Sequence, residues 1–203
     1  MSFPAFFAQV PRITLRDPLA EFLGAAEGGL IEYGYADAVR LAGHSCPTVA
    51  GAYLLTCHAL TSLYEGDLPE RGNIRVEFLA SPDQGVTGVI ASVVTLLTGA
   101  AGEGGFKGLA GNFSRRQLLQ FGAAGVQGEV RFTRIDTGAS ADASLNLGPV
   151  PADPAMGPLL QQILAGEAPP QALQAFAGLW QDRVRRLLLE HWDDPQVLSL
   201  RCN

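Results

Sequence analysis

The sequence contains few charged residues and few cysteines, and each shortage excludes a class of protein. Charged residues make up 17% of the 203 residues, and the formal net charge is −6. The clustered basic charge that tracks a phosphate backbone is therefore missing, and we exclude nucleic acid as the main partner. Three cysteines, an odd and sparse set, do not form a disulfide framework, so we expect a reducing, cytoplasmic location.

Long apolar runs and recognisable targeting signals are also absent. No run reaches the roughly 18 apolar residues that indicate a membrane-spanning helix. The apolar N-terminal stretch lacks a basic segment, and Pro4 and Pro11 interrupt it, so it does not resemble a signal peptide. The sequence therefore predicts a cytoplasmic protein that does not enter a membrane.

Hydrophobic periodicity predicts an α+β fold, in which a small mixed or antiparallel sheet packs with helices. Asp17 and Pro18 predict the start of a short helix, and Gly43 predicts the end of another. Alternating apolar residues predict strands, whereas apolar residues at helical spacing predict longer helices. The predicted helices span 36–42, 47–64 and 86–98, and the predicted strands span 73–80 and 128–135.

A change of composition near residue 150 divides the predicted fold. We expect residues 1–150 to form the α+β core and residues 151–203 to form a helical C-terminal extension. Prolines between 149 and 158 indicate a linker, and an amphipathic pattern predicts a long helix over 171–192.

His44 and Cys46 are the residues best suited to bind a transition metal. Their spacing in an extended segment puts both side chains on one side of the chain. An imidazole nitrogen and a thiolate are good zinc ligands, and a helix beginning at Pro47 would favour the thiolate. Zinc needs further ligands, and the sequence does not identify them. The alternative interpretation is an inert buried cysteine beside a surface histidine.

Other polar residues have weaker claims to a site. Cys57 shares a helix face with core residues, so we expect it to be buried, and we expect His58 to lie at the core boundary. Lys107, the only lysine, lies between glycines in a loop that matches no phosphate-binding motif, and could bind an anionic group or polarise a carbonyl. Asp83 and Thr87, near a predicted helix start, are candidates for a cofactor or substrate pocket.

The segment Gly-His-Ser-Cys-Pro at 43–47, followed by a glycine-containing helix, resembles the signature of the formylmethanofuran dehydrogenase FmdE family. A strand, a second helix and a glycine-rich loop follow in the family's order, so the resemblance spans residues 30–135. It implies an α+β core, a metal ion near His44 and Cys46, and a homodimer. The family name alone points to oxidoreductase-like or C1-related chemistry.

The chain departs from this family at two positions. Ala42 stands where many members have a second histidine, and residues 89–92 replace a Cys-Ala-Val-Asp segment of the second helix. A site that depends on those groups must be completed differently here.

Three functional hypotheses follow from these residues. The first is a soluble homodimeric protein with an open zinc site at His44 and Cys46, at which a small-molecule substrate reacts. Cys46 and Lys107 would then be the catalytic candidates. The second is a metal carrier or accessory component of a larger enzyme, which four protein ligands would favour. The third is a metal-free thiol enzyme that uses Cys46 as its nucleophile.

Overall fold

The computed structural model describes residues 3–203 and confirms the α+β fold. Within those residues the helices are α1 (Pro18–Phe22), α2 (Tyr35–Ala42), α3 (Pro47–Tyr64), α4 (Thr87–Thr98), α5 (Met156–Leu164) and α6 (Pro170–Leu189). The strands are β1 (Ile13–Arg16), β2 (Leu30–Tyr33), β3 (Ile74–Phe78), β4 (Leu119–Gln120), β5 (Val130–Arg134), β6 (Ser140–Leu145) and β7 (Leu198–Cys202).

The main sheet has the strand order β4-β3-β5-β6-β7. The pair β3–β4 is parallel and the other pairs are antiparallel, so the sheet is mixed, as predicted. Strands β1 and β2 form a separate antiparallel ribbon. Strand β7 was not predicted from the sequence, and its pairing with β6 ties the C-terminal segment to the core sheet.

Helix α3 is buried on all sides and organises the core. It packs against α2, α4 and α6 and against strands β6 and β7. Apolar and small residues occupy its whole circumference, which is the pattern of a fully enclosed helix. Gly51 allows strand β6 to approach, because an added Cβ atom would lie 2.7 Å from the Leu145 side chain.

Helix α4 is present as predicted, and only part of its predicted apolar stripe faces the core. That stripe comprises Val86, Val89 or Ile90, Val93 and Leu97. Val93 and Leu97 are buried as predicted, whereas Val86, which precedes the helix, and Val89 are 51% and 37% exposed. Val94 adds to the buried surface. Ala91 is also buried on this face.

The C-terminal segment is helical through α5 and α6 and then returns to the core. The last turns of α6 bury Val184, Leu187 and Leu188. Contacts between α6 and α3 hold one end of residues 180–202 against the core, and the pairing of β7 with β6 holds the other end. No helix within residues 3–203 combines the length and the apolar character needed to cross a membrane.

Candidate functional site

His44, Ser45 and Cys46 connect two helices whose ends are determined by local sequence. Gly43 ends α2 with a left-handed φ of 75°, which glycine adopts without steric cost. Cys46 is extended, with φ −147° and ψ 166°, and Pro47 begins α3. Proline suits this position because it lacks an amide hydrogen that would otherwise need a partner. Three residues are therefore held between two defined helix ends.

The sulfur of Cys46 caps α3. Its Sγ atom accepts a hydrogen bond from the Val49 amide at 3.4 Å, and the residue is 8% exposed. Amide groups at the start of a helix favour negative charge. A thiolate is the form of cysteine that binds a metal or attacks an electrophile.

The ring of His44 is exposed, and one of its nitrogens has a fixed partner. Its Nδ1 atom lies 3.0 Å from the carbonyl oxygen of Ala42, which can only accept a hydrogen bond. In the neutral tautomer that donates from Nδ1 to this carbonyl, the Nε2 lone pair is available to a cation. Histidines that bind metals commonly have this arrangement, with the other ring nitrogen donating to a carbonyl.

Ser45 is fixed by hydrogen bonds from both α2 and α6. Its hydroxyl lies 2.8 Å from the Tyr35 hydroxyl and donates to Gln181 Oε1 at 3.0 Å. Its carbonyl oxygen accepts from Trp180 Nε1 at 2.9 Å and from Gln181 Nε2 at 3.2 Å. The sequence does not indicate that Tyr35, Trp180 and Gln181 are neighbours of this segment, because no local pattern links them to it.

The donor chemistry of the segment fits a transition metal, but the described residues complete only part of a coordination shell. Imidazole and thiolate suit zinc and similar cations. Within residues 3–203, no group of three or more His, Cys, Asp or Glu residues is placed to hold a metal ion. Any ion at His44 and Cys46 would need water, substrate or another chain for its remaining positions.

The other predicted site residues, Asp83, Thr87 and Lys107, do not hydrogen-bond to one another. Asp83 is exposed and accepts a hydrogen bond from Ser81 at 2.6 Å, which lowers the pKa of its carboxyl group. Thr87 begins α4, donates to the Gln84 carbonyl and lines an apolar cavity of about 310 Å³. Lys107 is exposed in the glycine-rich loop. Among the described residues, none of the three bonds to the 44–46 segment.

Cys57 is buried, as predicted, and the two remaining histidines contact the same turn after α6. Burial raises the pKa of the Cys57 thiol to about 12, which makes it a poor ligand or nucleophile at neutral pH. His58 lies beside Trp192, with ring centroids 5.1 Å apart. His191 Nδ1 lies 2.7 Å from Asp194 Oδ2. These contacts assign both histidines a role in holding the turn.

Comparisons with known proteins give one structural neighbour and no sequence match. No protein-family model matches this chain, and no curated protein matches it. A solved structure of a tungsten formylmethanofuran dehydrogenase FmdE-like protein from Syntrophus aciditrophicus is similar, with a TM-score of 0.44 and 17% sequence identity. The match covers 84% of this chain and 72% of that chain. A similarity at this level does not establish membership of that family.

Proposed function

We propose that this protein binds one transition-metal ion, zinc in the first instance, through His44 Nε2 and Cys46 Sγ. The hydrogen bond between His44 Nδ1 and the Ala42 carbonyl is the main support, because a ring that donates from Nδ1 has Nε2 free for a cation. Cys46 places a sulfur donor at the start of α3, on the same short segment. The motif at 43–47 suggests that the chain is a distant member of the formylmethanofuran dehydrogenase FmdE family.

The proposed site is open. Two protein donors leave positions for a further ligand and for water or a small-molecule substrate, and an open position of this kind distinguishes a catalytic zinc site, with three protein ligands plus water, from a structural one. A bound zinc ion would supply Lewis-acid polarisation or an acidic water molecule. His44 and Cys46 would hold the ion, and the buried side of Cys46 would exclude solvent from its sulfur.

Asp83, Thr87 and Lys107 belong to the proposal as candidate substrate contacts. Lys107 is exposed in the glycine-rich loop, so its ammonium group is accessible to an anionic substrate. Thr87 and the exposed side chain of Gln84 lie at the apolar cavity near the start of α4. The homodimer is likewise proposed, and a second copy could supply the missing ligands.

Metal content in purified variants tests this function. We expect about one metal ion per chain in the wild-type protein by elemental analysis, and a large loss in His44→Ala and in Cys46→Ala. The matched controls are His191→Ala and Cys202→Ser, which remove the same donor types elsewhere and should retain the metal. Equal metal content in all five proteins would refute the assignment, provided that circular dichroism shows each variant to be folded.

A carrier or accessory role is the main alternative for the same metal site. The number of protein donors separates the two, since four favour a structural or carrier site and three plus water favour a catalytic one. X-ray absorption spectroscopy of the zinc-loaded protein would count sulfur and imidazole donors directly. One sulfur and one imidazole per zinc, with light-atom ligands in the other positions, is the expected result.

The position of Cys46 also supports a metal-free thiol enzyme as a second candidate. The Cys46 sulfur accepts the Val49 amide at the start of α3, and a helix start is a common position for a nucleophilic cysteine. Rapid alkylation of Cys46 at neutral pH in metal-free protein, with no metal bound after purification, would favour this candidate over the first.

A further inference from the structure

The segment that carries both proposed ligands is attached to the C-terminal helix through its middle residue. The carboxamide of Gln181 bonds to Ser45 at both ends, with Oε1 accepting from the hydroxyl and Nε2 donating to the carbonyl oxygen. The indole of Trp180 donates to the same carbonyl. These contacts span a long stretch of the chain, since Trp180 lies 135 positions after Ser45 in the sequence.

The second side of the attachment comes from α2. Burial raises the pKa of Tyr35 above its usual range, so its hydroxyl stays protonated. Because the Ser45 hydroxyl donates its single hydrogen to Gln181, Tyr35 must donate to Ser45. Ser45 therefore uses its hydroxyl as donor and acceptor, and its carbonyl as a double acceptor.

Helix α6 is packed into the core next to the residues that make these contacts. One turn beyond Gln181, Val184 is fully buried, and Leu187 and Leu188 follow it into the core. The N-terminal half of the same helix buries Ala172 and exposes Leu173 (62% exposed), whereas the second half buries three apolar residues. Trp180 and Gln181 lie just before these three residues.

We propose that Trp180 and Gln181 are positioning residues that hold His44 and Cys46 in the geometry for binding a metal ion. This inference rests on the proposed function, and it adds a role for the C-terminal helix that the motif at 43–47 does not contain. Ser45 lies between the two donors, so a shift of its backbone would move both. Groups that orient metal ligands typically change metal affinity by about 10–100-fold when they are removed.

The test is metal binding and thiolate spectroscopy in variants of α6. Gln181→Ala removes both carboxamide bonds, and Trp180→Phe removes the indole donor while keeping an aromatic ring. Gln174→Ala is the matched control, because Gln174 is an exposed glutamine of the same helix. Each protein is titrated with Co²⁺, whose thiolate charge-transfer absorption reports the bond to Cys46, and then with Zn²⁺ in competition.

We expect at least a tenfold higher dissociation constant and a weaker or shifted charge-transfer band for Gln181→Ala. Trp180→Phe should change both in the same direction, whereas Gln174→Ala should stay within twofold of wild type. Trp180→Phe decides the question alone if Gln181→Ala does not fold. Wild-type affinity and spectrum in both Gln181→Ala and Trp180→Phe would overturn the positioning role but would not contradict the metal site. A wild-type protein that binds neither metal would overturn both proposals.

A metal-free measurement gives a second reading of the same contacts. In a Cys202→Ser background, alkylation of Cys46 should be faster in Gln181→Ala than in Gln174→Ala, because the released segment exposes the sulfur. Equal rates in the two variants would contradict the idea that α6 restrains this segment.

Discussion

The guanidinium of Arg115 and the carboxylate of Asp17 meet at 2.6 Å, although the two residues lie 98 positions apart in the sequence. Asp17 also accepts from Arg71 at 2.8 Å, and its Oδ1 caps α1. Burial alone would raise the pKa of Asp17, but the hydrogen bond from Arg71 and the charge of Arg115 outweigh burial and lower the pKa. One carboxylate thus joins α1 to two distant loops.

Replacing Asp17 with alanine should strongly destabilise the fold. The Arg115 side chain is 8% exposed, so the variant leaves a buried cation without its partner. Breaking a buried pair in this way costs about 3–5 kcal/mol. Urea unfolding measures the loss, and Glu32→Ala is the control because Glu32 pairs with Arg12 at the surface, where a pair contributes about 1 kcal/mol or less. Similar losses in both variants would contradict this account.

Gly72 should not tolerate a side chain. Its φ of 86° is unfavourable for other residues, and an added Cβ atom would overlap the Arg115 guanidinium. Gly66 has a φ of 101° with nothing within 4 Å, so Gly66→Ala should lose only the backbone term of about 1–2 kcal/mol. Gly72→Ala should cost about 1–3 kcal/mol more, as overpacked sites do. Equal denaturation midpoints for the two variants would show that the guanidinium moves aside freely.

The stability of the protein should fall below neutral pH partly because of His58. Burial lowers the pKa of this imidazole, and the Asp193 carboxylate and the Trp192 backbone only partly oppose burial. The unfolded chain, with a histidine pKa of about 6.5, therefore binds a proton before the folded protein does. The contribution of His58 to stability is complete above about pH 6.5 and is lost as the pH falls through the pKa of the imidazole in the folded protein.

A variant isolates this effect. His58→Phe keeps an aromatic ring beside Trp192 and removes the titration, so its melting temperature should change less than that of wild type between pH 8 and about pH 5. Parallel melting curves for the two proteins across this range would assign the acid sensitivity to other groups.

The free cysteines should differ sharply in reactivity. Cys202 is exposed on β7, whereas burial raises the pKa of the Cys57 thiol to about 12. Alkylation at neutral pH should therefore modify Cys202 readily and leave Cys57 unmodified until the protein unfolds. Peptide mass spectrometry gives the extent at each site, and full labelling in denaturant is the control. Modification of Cys57 in the folded protein would indicate that α3 opens locally.

Local signals in the sequence were sufficient for the helices that frame the site. Helix α3 begins at Pro47 and ends at Tyr64, as predicted, because a proline and a capping residue define its start. Gly43 ends α2 for an equally local reason. The α4 face could be predicted only in part. Val93 and Leu97 are buried as predicted, but a run rich in valine is apolar all round, so its partner helix decides which other residues are buried.

Contacts between distant segments could not be predicted from the sequence. Strand β4 has two residues, and β7 is recognisable only through its pairing with β6. The motif drew attention to His44 and Cys46, and the ligand assignment stays a prediction. Nothing in the sequence pairs Ser45 with Trp180 and Gln181, since hydrogen bonds across such a separation leave no periodic pattern.

The enclosure of α3 has a consequence for synthesis of the chain. Translation releases this apolar helix well before the segments that form α6 and β7, so one of its sides lacks native cover while the later residues are still being added. The nascent protein must keep that side from associating with other chains. It is therefore expected to depend on holding chaperones during translation, and truncations before α6 should aggregate.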